Sequence, residues 1–329
     1  MQKVRVLFFA GLLVILSIFP LLVRDTSLEY LVRTAGFIGL YVILALGLNI
    51  TIGFAGLFDL GFMAFYAIGA YTAAIASIHG CGLILSTLLA VTVSVAFRLL
   101  LGAPVLRLRG DYLAIVTLGF GEITRLVLNN WDSVTNGPKG LPRVGETIAI
   151  PVFLGVELSE NIHYYYMIWA AVGLAVLVSR RLENSRIGRA WTAVREDETA
   201  AELTGVPVTR VKMLAFATSA LFAGLAGSLF AHWEKFVTPE SFTFWESVLV
   251  VSMIVLGGMG SVSGVIVGAV LIAGFPQAMQ TVLGSELVRY RYLLFGLALI
   301  VVILFRPQGL IPSRRRALEL ETEEPEPAS

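Results

Sequence analysis

Long uninterrupted apolar segments limit what this chain can fold into more than any other feature of its sequence. A helix needs about 20 apolar residues to cross a hydrocarbon core roughly 30 Å thick, and segments of about that length recur along the chain. Of the 329 residues, 57% are hydrophobic and only 14% are charged, whereas soluble domains are about half apolar and about a quarter charged. The pattern therefore predicts an all-α, polytopic bundle of transmembrane helices.

About ten segments meet the hydropathy criterion for a transmembrane helix, and about eight is the lower bound because glycines interrupt some of them. The predicted spans are 6–23, 31–52, 60–79, 82–102, 111–129, 163–179, 211–232, 243–258, 262–282 and 290–306. The first span follows a basic start, as in a secretory signal, but lacks a small-x-small cleavage site. We therefore expect a retained span, with a cleaved signal as the alternative.

The distribution of Lys and Arg predicts how the bundle is oriented. With the N-terminus in the cytoplasm, basic residues on the cytoplasmic side outnumber the others about two to one, as the positive-inside rule requires. An even number of spans then returns the C-terminus to the cytoplasm. We expect one transmembrane domain over 1–312, with an external loop near 130–162 and a cytoplasmic loop near 180–210. The acidic tail 313–329 is predicted to be disordered.

The most hydrophilic stretch between the spans is RIGRAWTAVREDETAAELTGVPVTRVK, residues 186–212, which we call the charged island. Ser185 is a candidate N-cap for a first short helix, and three acidic residues form the first turn of a second helix that ends near Thr204. Gly205 and Pro207 are typical of a helix stop. The island therefore predicts two short helices at the membrane surface that dock a partner. The alternative is an ordinary loop that is charged because it is solvated.

The chain contains no motif for an energy source or a catalytic centre. No G-x-x-x-x-G-K-[ST] phosphate-binding loop occurs, so transport against a gradient would need an ion or a separate ATPase. The single Cys81 cannot form a disulfide within the chain, and the three histidines lack metal-ligand spacing. A net charge of +1 gives no indication of nucleic-acid binding. We expect no catalytic residue, metal or cofactor in this chain.

Six motifs spread over most of residues 36–312 carry a resemblance to a known family. They are GLNITIGFAGLFDLGFMAFYAIGAYTAA, LRLRGDYLAIVTLGFGEITRLVLNN, TNGPKGL, AVREDETAAELTGV, GGMGSVSGVIVGA and RPQGLIP. In this order they resemble the LivM-type permeases of bacterial branched-chain amino acid ABC transporters. The resemblance implies a permease domain over 1–312 in the bacterial inner membrane, which translocates leucine, isoleucine and valine.

The same resemblance implies several partners. Members of that family pair with a second, similar permease, bind two cytoplasmic ATPases and receive substrate from a periplasmic amino-acid-binding protein. ATP and Mg²⁺ would bind to the ATPases. In the family, the inward loop after the sixth span couples to the ATPase. The coupling candidates on this chain are Arg189, Ala193, Arg195, Glu196, Asp197, Ala200, Glu202 and Gly205. The general permease signature has Glu-Ala-Ala before its Gly, whereas this chain has AAELTG.

Two glycine-broken apolar segments are the candidates for a translocation pathway. Unwound backbone at membrane depth is tolerated only along a cavity, which makes NITIGFAGLFDLGFMAF and GGMGSVSG informative. They fall in opposite halves of the chain, which is compatible with two inverted halves of about five spans each. The pathway candidates in and near them are Asn49, Gly53, Gly56, Asp59, Gly61, Thr117, Glu122, Gly257, Gly258 and Gly260.

Two carboxylates within apolar segments have competing interpretations. A carboxylate at membrane depth is costly unless it is paired or hydrated, which makes a functional role the default hypothesis for Asp59. The alternative is that Asp59 caps the following helix at a cytoplasmic turn. Glu122 lies near mid-depth of its span, and Arg125 follows on the same helical face, where the two can pair. For Glu122 a structural ion pair and a pathway role both stay open.

Three classes of function compete for this sequence. The first is a permease subunit driven by a partner ATPase, for branched-chain amino acids or, within the same superfamily, for urea, amides or other amino acids. The second is an ion-coupled secondary transporter in which the broken spans and Asp59 form an ion site. The third is an intramembrane enzyme, but the apolar segments show no paired carboxylates, Ser/Lys pair or His-rich spans.

Overall fold

The computed structural model describes residues 19–20, 30–106, 108, 110–141, 152–153, 156–157, 161–283, 296–297, 300, 304 and 308–312. The α-helices within them, numbered in chain order, are α1 Tyr30–Asn49, α2 Phe62–Ile78, α3 Leu83–Val105, α4 Asp111–Asn130, α5 Asp132–Thr135, α6 Asn161–Glu183, α7 Arg186–Glu196, α8 Glu198–Leu203, α9 Val208–Glu234, α10 Phe244–Gly257 and α11 Val262–Leu283. Two strands of two residues each, β1 Val152–Phe153 and β2 Val156–Glu157, form an antiparallel hairpin before α6. The described fold is therefore almost entirely helical, as predicted.

Six segments of the described chain are long and apolar enough to cross a membrane. They are Tyr30–Phe54, Leu83–Gly102, Tyr112–Asn130, Asn161–Glu183, Val208–Glu234 and Pro239–Gly257. Two shorter apolar helices, Phe62–Ile78 and Val262–Phe275, cover the predicted spans 60–79 and 262–282. The predicted spans 6–23 and 290–306 lie almost wholly outside the described residues, as does the tail. A multi-pass bundle is therefore confirmed, while the count of ten helices and the inverted repeat stay predictions.

Helix α9 lies at the centre of the bundle, and α1, α2 and α3 pack around it. Near the end of α9, Trp233 packs on Gly36 in the first half of α1. Near the middle of α9, Phe222 packs on Gly47, close to the end of α1. The contacts run in opposite directions along the two helices, so α1 and α9 are antiparallel.

The bundle has two distinct ends. At one end, Arg33 in the first turns of α1 pairs with Glu234 in the last turn of α9 at 2.8 Å. The other end carries α7, α8 and the start of α9, and we call it the island end. Because α1 and α9 are antiparallel, the last residues of α1 also lie at the island end. The end that carries Arg33 is called the opposite end.

Glycines bring α2 and α9 into backbone contact. A Cβ atom on Gly227 would lie 2.4 Å from the carbonyl oxygen of Tyr66, and one on Gly69 would lie 2.7 Å from the Cα of Gly224. No side chain fits at such distances, so the crossing depends on glycine, as is common between membrane helices.

The described part of the predicted external loop, near 130–162, consists mainly of short elements. It contains α5 and a 3-10 turn, Gly137–Lys139, and it lies at the opposite end. The backbone of Leu141 pairs with that of Val237, with a nitrogen–oxygen distance of 2.9 Å. This bridge ties the loop to the segment that follows α9. Most of the rest of the loop lies outside the described residues.

The α2–α9 crossing predicts that Gly227→Ala destabilises the protein. The added methyl group overlaps the α2 backbone, so the free energy of unfolding should fall by about 1–3 kcal/mol, as for other overpacked sites. Thermal unfolding of the purified chain in detergent measures the change. Gly173→Ala is the matched control, because Gly173 lies inside α6 with nothing within 4 Å of its Cβ position. An equal loss of stability in both variants would show that the crossing is not close-packed.

Candidate functional site

The first broken segment begins where α1 ends at the island end. After Asn49 the chain forms one turn of π-helix, Ile50–Phe54, and then runs without regular structure to Gly61. Asn49 and Thr51 are buried, although both are polar. Gly56 has a φ of 69°, in the left-handed region that other residues rarely adopt. The predicted break in this span is therefore present, and it lies inside the protein.

The second broken segment is the turn between α10 and α11. Gly258 and Gly260 have φ values of 119° and 79°, which only glycine adopts readily. Residues 308–312, the described part of the closing RPQGLIP motif, lie against this turn, because the backbone nitrogen of Ile311 donates to the carbonyl of Gly257 at 2.9 Å. The predicted second break is therefore also present.

The structure brings the two broken segments into direct contact. The side-chain oxygen of Asn49 accepts a hydrogen bond from the backbone nitrogen of Gly260 at 2.9 Å. A Cβ atom on Gly53 would lie 2.0 Å from that Asn49 oxygen and 2.6 Å from the Gly260 nitrogen. The contact therefore requires glycine at position 53. The sequence predicted both breaks as separate places on a pathway but not their meeting.

The charged island folds into the two short helices that its sequence predicts. Ser185 caps α7, since its hydroxyl accepts from the backbone nitrogen of Gly188 at 3.1 Å. Asp197 caps α8 by accepting from the nitrogens of Thr199 and Ala200 at 2.7 and 2.8 Å. The boundary differs by two residues from the prediction, because Glu196 ends α7 and the next helix begins at Glu198. Gly205 follows α8 with a φ of 87°.

The two short helices of the island are anchored to the first turns of α9 by two buried side chains. The indole nitrogen of Trp191, in α7, donates to the carbonyl of Val211 at 2.8 Å. Lys212, buried in α9, forms an ion pair with Glu198 in the first turn of α8. Both short helices are thus attached to the central helix of the bundle, which makes the island a rigid part of the fold.

Arg195 joins the island to the first broken segment. Its guanidinium Nη1 donates to the carbonyl of Gly53 at 2.6 Å. The stem of the side chain fills the space beside Gly56, where a Cβ atom would lie 2.7 Å from Arg195 Cγ. The sequence predicted Arg195 as a partner contact, whereas its side chain lies against the chain's own break.

The other coupling candidates lie around the outer surface of α7 and α8. Ala193 is half-buried, and the exposed candidates are Arg189, Glu196, Asp197, Ala200, Glu202 and Gly205. Leu203, which sequence reasoning missed, ends α8 with 84% of its surface exposed. Leu203 adds a large apolar side chain to the outer surface that the charged candidates form.

Asp59 is fully buried and paired. Its Oδ2 lies 2.5 Å from Nη2 of Arg98, which is itself buried in α3. The Arg98 guanidinium lies between the rings of Phe65 and Phe216, at 4.5 and 3.8 Å from their centroids. The other carboxylate oxygen accepts from the backbone nitrogen of Gly61 at 3.1 Å, next to the start of α2. Asp59 therefore forms a buried ion pair and binds the backbone just before α2, whereas α2 itself begins without a side-chain cap, so the predicted capping role is wrong.

Arg98 is the partner that sequence reasoning missed. A charged residue within the predicted span 82–102 was itself a signal, because such a residue needs a partner at membrane depth.

Helix α4 contributes the two remaining pathway candidates. Thr117 packs against the break, since its hydroxyl accepts from the backbone nitrogen of Leu60 at 3.1 Å. A Cβ atom on Gly61 would lie 2.1 Å from the Thr117 carbonyl oxygen. Further along α4, the predicted pair forms, with Nε of Arg125 donating to Glu122 at 3.0 Å. The side chains of Arg125 and Glu122 are each about one-third exposed.

Comparison with known proteins identifies the family of this chain. The family described as branched-chain amino acid transport system / permease component matches residues 30–303. The chain belongs to this family. No solved structure is significantly similar to the chain.

Three relatives within the permease family illustrate the similarity. The high-affinity branched-chain amino acid transport system permease protein LivM of Salmonella typhimurium is 42% identical, over 96% of this chain and 77% of the relative. The LivM protein of Escherichia coli is 40% identical over the same shares. The permease protein LivH of Salmonella typhimurium is 27% identical, over 82% of this chain and 91% of the relative. The chain therefore resembles two differently named permease proteins of one organism.

The buried pair predicts that Asp59→Asn strongly destabilises the permease. The substitution leaves Arg98 as a buried cation without its counter-charge, which typically lowers the free energy of unfolding by about 3–5 kcal/mol. The double variant Asp59→Asn with Arg98→Met should regain part of this loss, since both charges are then gone. Thermal unfolding in detergent measures both variants. Glu122→Gln is the control, because its exposed pair should contribute no more than about 1 kcal/mol. Equal effects at Asp59 and Glu122 would contradict the structural role assigned to the buried pair.

Proposed function

We propose that this chain is the membrane-spanning permease subunit of an ATP-binding cassette importer. It translocates leucine, isoleucine and valine across the bacterial inner membrane, and a partner ATPase supplies the energy. The observation that carries this proposal is the hydrogen bond from Arg195 of the island to the carbonyl of Gly53 in the first broken segment. Membership of the branched-chain amino acid permease family supports the substrate class.

The orientation follows from the position of the island. An island that binds cytosolic ATPases must lie in the cytoplasm, so the opposite end faces the periplasm. Successive spans cross the membrane in opposite directions, so an even number of spans places both termini in the cytoplasm. The positive-inside distribution of Lys and Arg supports the same assignment.

The mechanism is a mechanical relay from the island to the pathway. A partner that moves α7 and α8 also moves Arg195, because Trp191 and Lys212 hold the island as one unit with the start of α9. Arg195 transmits this movement to the carbonyl of Gly53, and Asn49 passes it on to Gly260. Unwound backbone changes its dihedral angles more readily than a helix, so the two breaks act as the hinge.

The complete transporter needs partners that this chain does not supply. We infer a second permease of similar fold, because the chain is related both to LivM proteins and to LivH proteins. We also infer two cytoplasmic ATPases, which hold ATP and Mg²⁺, and a periplasmic amino-acid-binding protein that delivers substrate. The lack of a phosphate-binding loop in the sequence supports a separate ATPase.

The ion-coupled alternative is less consistent with the geometry. It uses Asp59 as a cation ligand, but that carboxylate is already neutralised by Arg98 and accepts a hydrogen bond from the Gly61 nitrogen. A cation at this place would have to displace a buried arginine that is stacked between two aromatic rings.

Leu203→Glu tests the docking surface. The side chain is 84% exposed, so the substitution should leave folding unchanged while it places a charge in an apolar contact. We expect the amount of ATPase that co-purifies with the permease to fall about tenfold or more, as for an interface hot spot. Phe236→Glu is the matched control, because Phe236 is 46% exposed at the opposite end. Full retention of the ATPase by Leu203→Glu would remove α8 from the docking surface.

Arg195→Gln tests the relay. The shorter side chain no longer reaches the Gly53 carbonyl, and the loss of a charge-assisted hydrogen bond should lower the number of amino acids transported per ATP by about tenfold. ATPase binding should stay unchanged, because the Arg195 side chain faces the break. Uptake and ATP hydrolysis are measured together in proteoliposomes that contain the complete transporter. Arg186→Gln, on the exposed face of α7, should keep the normal ratio. A normal ratio in Arg195→Gln would show that the relay does not pass through this bond.

A further inference from the structure

A cavity of about 290 Å³ lies between α1, α2, α9 and α10, in the half of the bundle near the opposite end. It is lined by Phe37, Leu40, Tyr41, Leu44, Met63, Tyr66, Phe230, Glu234, Ser241 and Glu246. Binding sites for small molecules in proteins start at about 300 Å³, so this space suits a small solute. None of its residues was singled out as a site in the sequence.

One wall of the cavity is apolar. Leu40 and Leu44 lie one turn apart on α1, and Met63 faces them from the start of α2. All three are buried. Such a wall favours an aliphatic group, because burial of apolar surface is stabilising and the wall offers it no hydrogen-bond partner.

The other wall carries an uncompensated carboxylate. Glu246 in α10 accepts a hydrogen bond from the hydroxyl of Tyr41 at 2.7 Å. Within the part of the chain that the structure describes, no Lys or Arg pairs with Glu246. The second carboxylate, Glu234, differs in this respect because Arg33 binds both of its oxygens at 2.8 and 2.9 Å. The negative charge of Glu246 is therefore available to a cationic ligand.

Tyr66 completes the polar wall. The side chain is only 7% exposed, and it lines the cavity together with Tyr41, Glu234 and Glu246. A tyrosine hydroxyl both donates and accepts hydrogen bonds, so it can accept one from an ammonium group in the cavity.

We propose that this cavity is a substrate site within the permease, where Glu246 and the hydroxyls of Tyr41 and Tyr66 bind the ammonium group of an amino acid. The apolar wall of Leu40, Leu44 and Met63 then takes the aliphatic side chain. This proposal rests on the transport function proposed above and adds a specificity-determining site on the permease itself.

The position of the cavity fits a step on the pathway. Tyr41 and Asn49 are eight residues apart on α1, which is about 12 Å along a helix. The cavity wall and the hinge at the first broken segment therefore belong to one helix. A movement of the hinge that the relay produces also moves Tyr41, which alters the polar wall that holds the ammonium group.

Cysteine labelling tests the ligand chemistry without the receptor. Ser241→Cys places a thiol in the cavity, in a chain whose Cys81 is replaced by Ser, and a methanethiosulfonate reagent labels it in the assembled permease–ATPase complex. We expect 3-methylbutylamine and leucine to slow the labelling, since both carry an ammonium group and a branched aliphatic chain. The acid 4-methylpentanoate lacks the ammonium group and should have no effect, and sodium chloride controls for a bare cation.

The same assay measures the role of the carboxylate. Glu246→Gln keeps the size of the side chain but removes its charge, so the concentration of 3-methylbutylamine that halves the labelling rate should rise about tenfold. Glu240→Gln is the matched control, because Glu240 is exposed on the 3-10 turn Pro239–Phe242, which precedes α10, and does not line the cavity. Equal protection by the amine and the acid, or no protection by either, would overturn the site.

Transport by the complete system separates this proposal from the transport function. We expect Glu246→Gln to lower leucine uptake about tenfold at saturating receptor while receptor-stimulated ATP hydrolysis is retained. A purely structural role would reduce uptake and ATP hydrolysis together, and Glu246→Asp should restore part of the uptake. Normal uptake in Glu246→Gln would refute the site and leave the permease function standing. If the unaltered transporter moved no branched-chain amino acid, the permease function itself would fail.

Discussion

This structure depends on one constraint: backbone groups that leave a helix inside the apolar bundle must still form hydrogen bonds. A carbonyl that leaves a helix at membrane depth has no water to bind, so another part of the protein must supply a hydrogen bond. At the first break, Arg195 donates to the carbonyl of Gly53, and Asn49 accepts from Gly260 of the second break. These bonds hold the breaks together and, because Arg195 belongs to the island, they join a surface element to the interior.

The same physics explains the buried charges. Asp59 and Arg98 lie at membrane depth only because each neutralises the other and two aromatic rings enclose the guanidinium. Lys212 is buried with Glu198 as its partner, at the base of the island. Glu246 differs, because a hydroxyl is its only hydrogen-bond partner among the described residues. Glu246 is half-buried and has no basic partner among the described residues, so it offers a place for a transported cationic group.

Much of the island could be predicted because its signals are local. Capping by Ser185 and Asp197 and the stop at Gly205 depend on residues within one or two helical turns, which the sequence displays directly. The start of the second helix differed by two residues, Glu198 instead of Glu196, because three consecutive acidic residues offer more than one possible cap. The inward direction of Arg195 could not be predicted, since its acceptor is 142 residues away in the sequence.

The sequence by itself determined the membrane class, most of the described spans and the two glycine breaks, because apolar run length and glycine position are properties of single segments. Only the tertiary structure decided which groups meet. Asn49 and Gly260 are 211 residues apart, and Tyr41 and Glu246 are 205 apart. Periodicity and capping carry no information at such separations, since contacts of this kind form only when distant helices pack against one another.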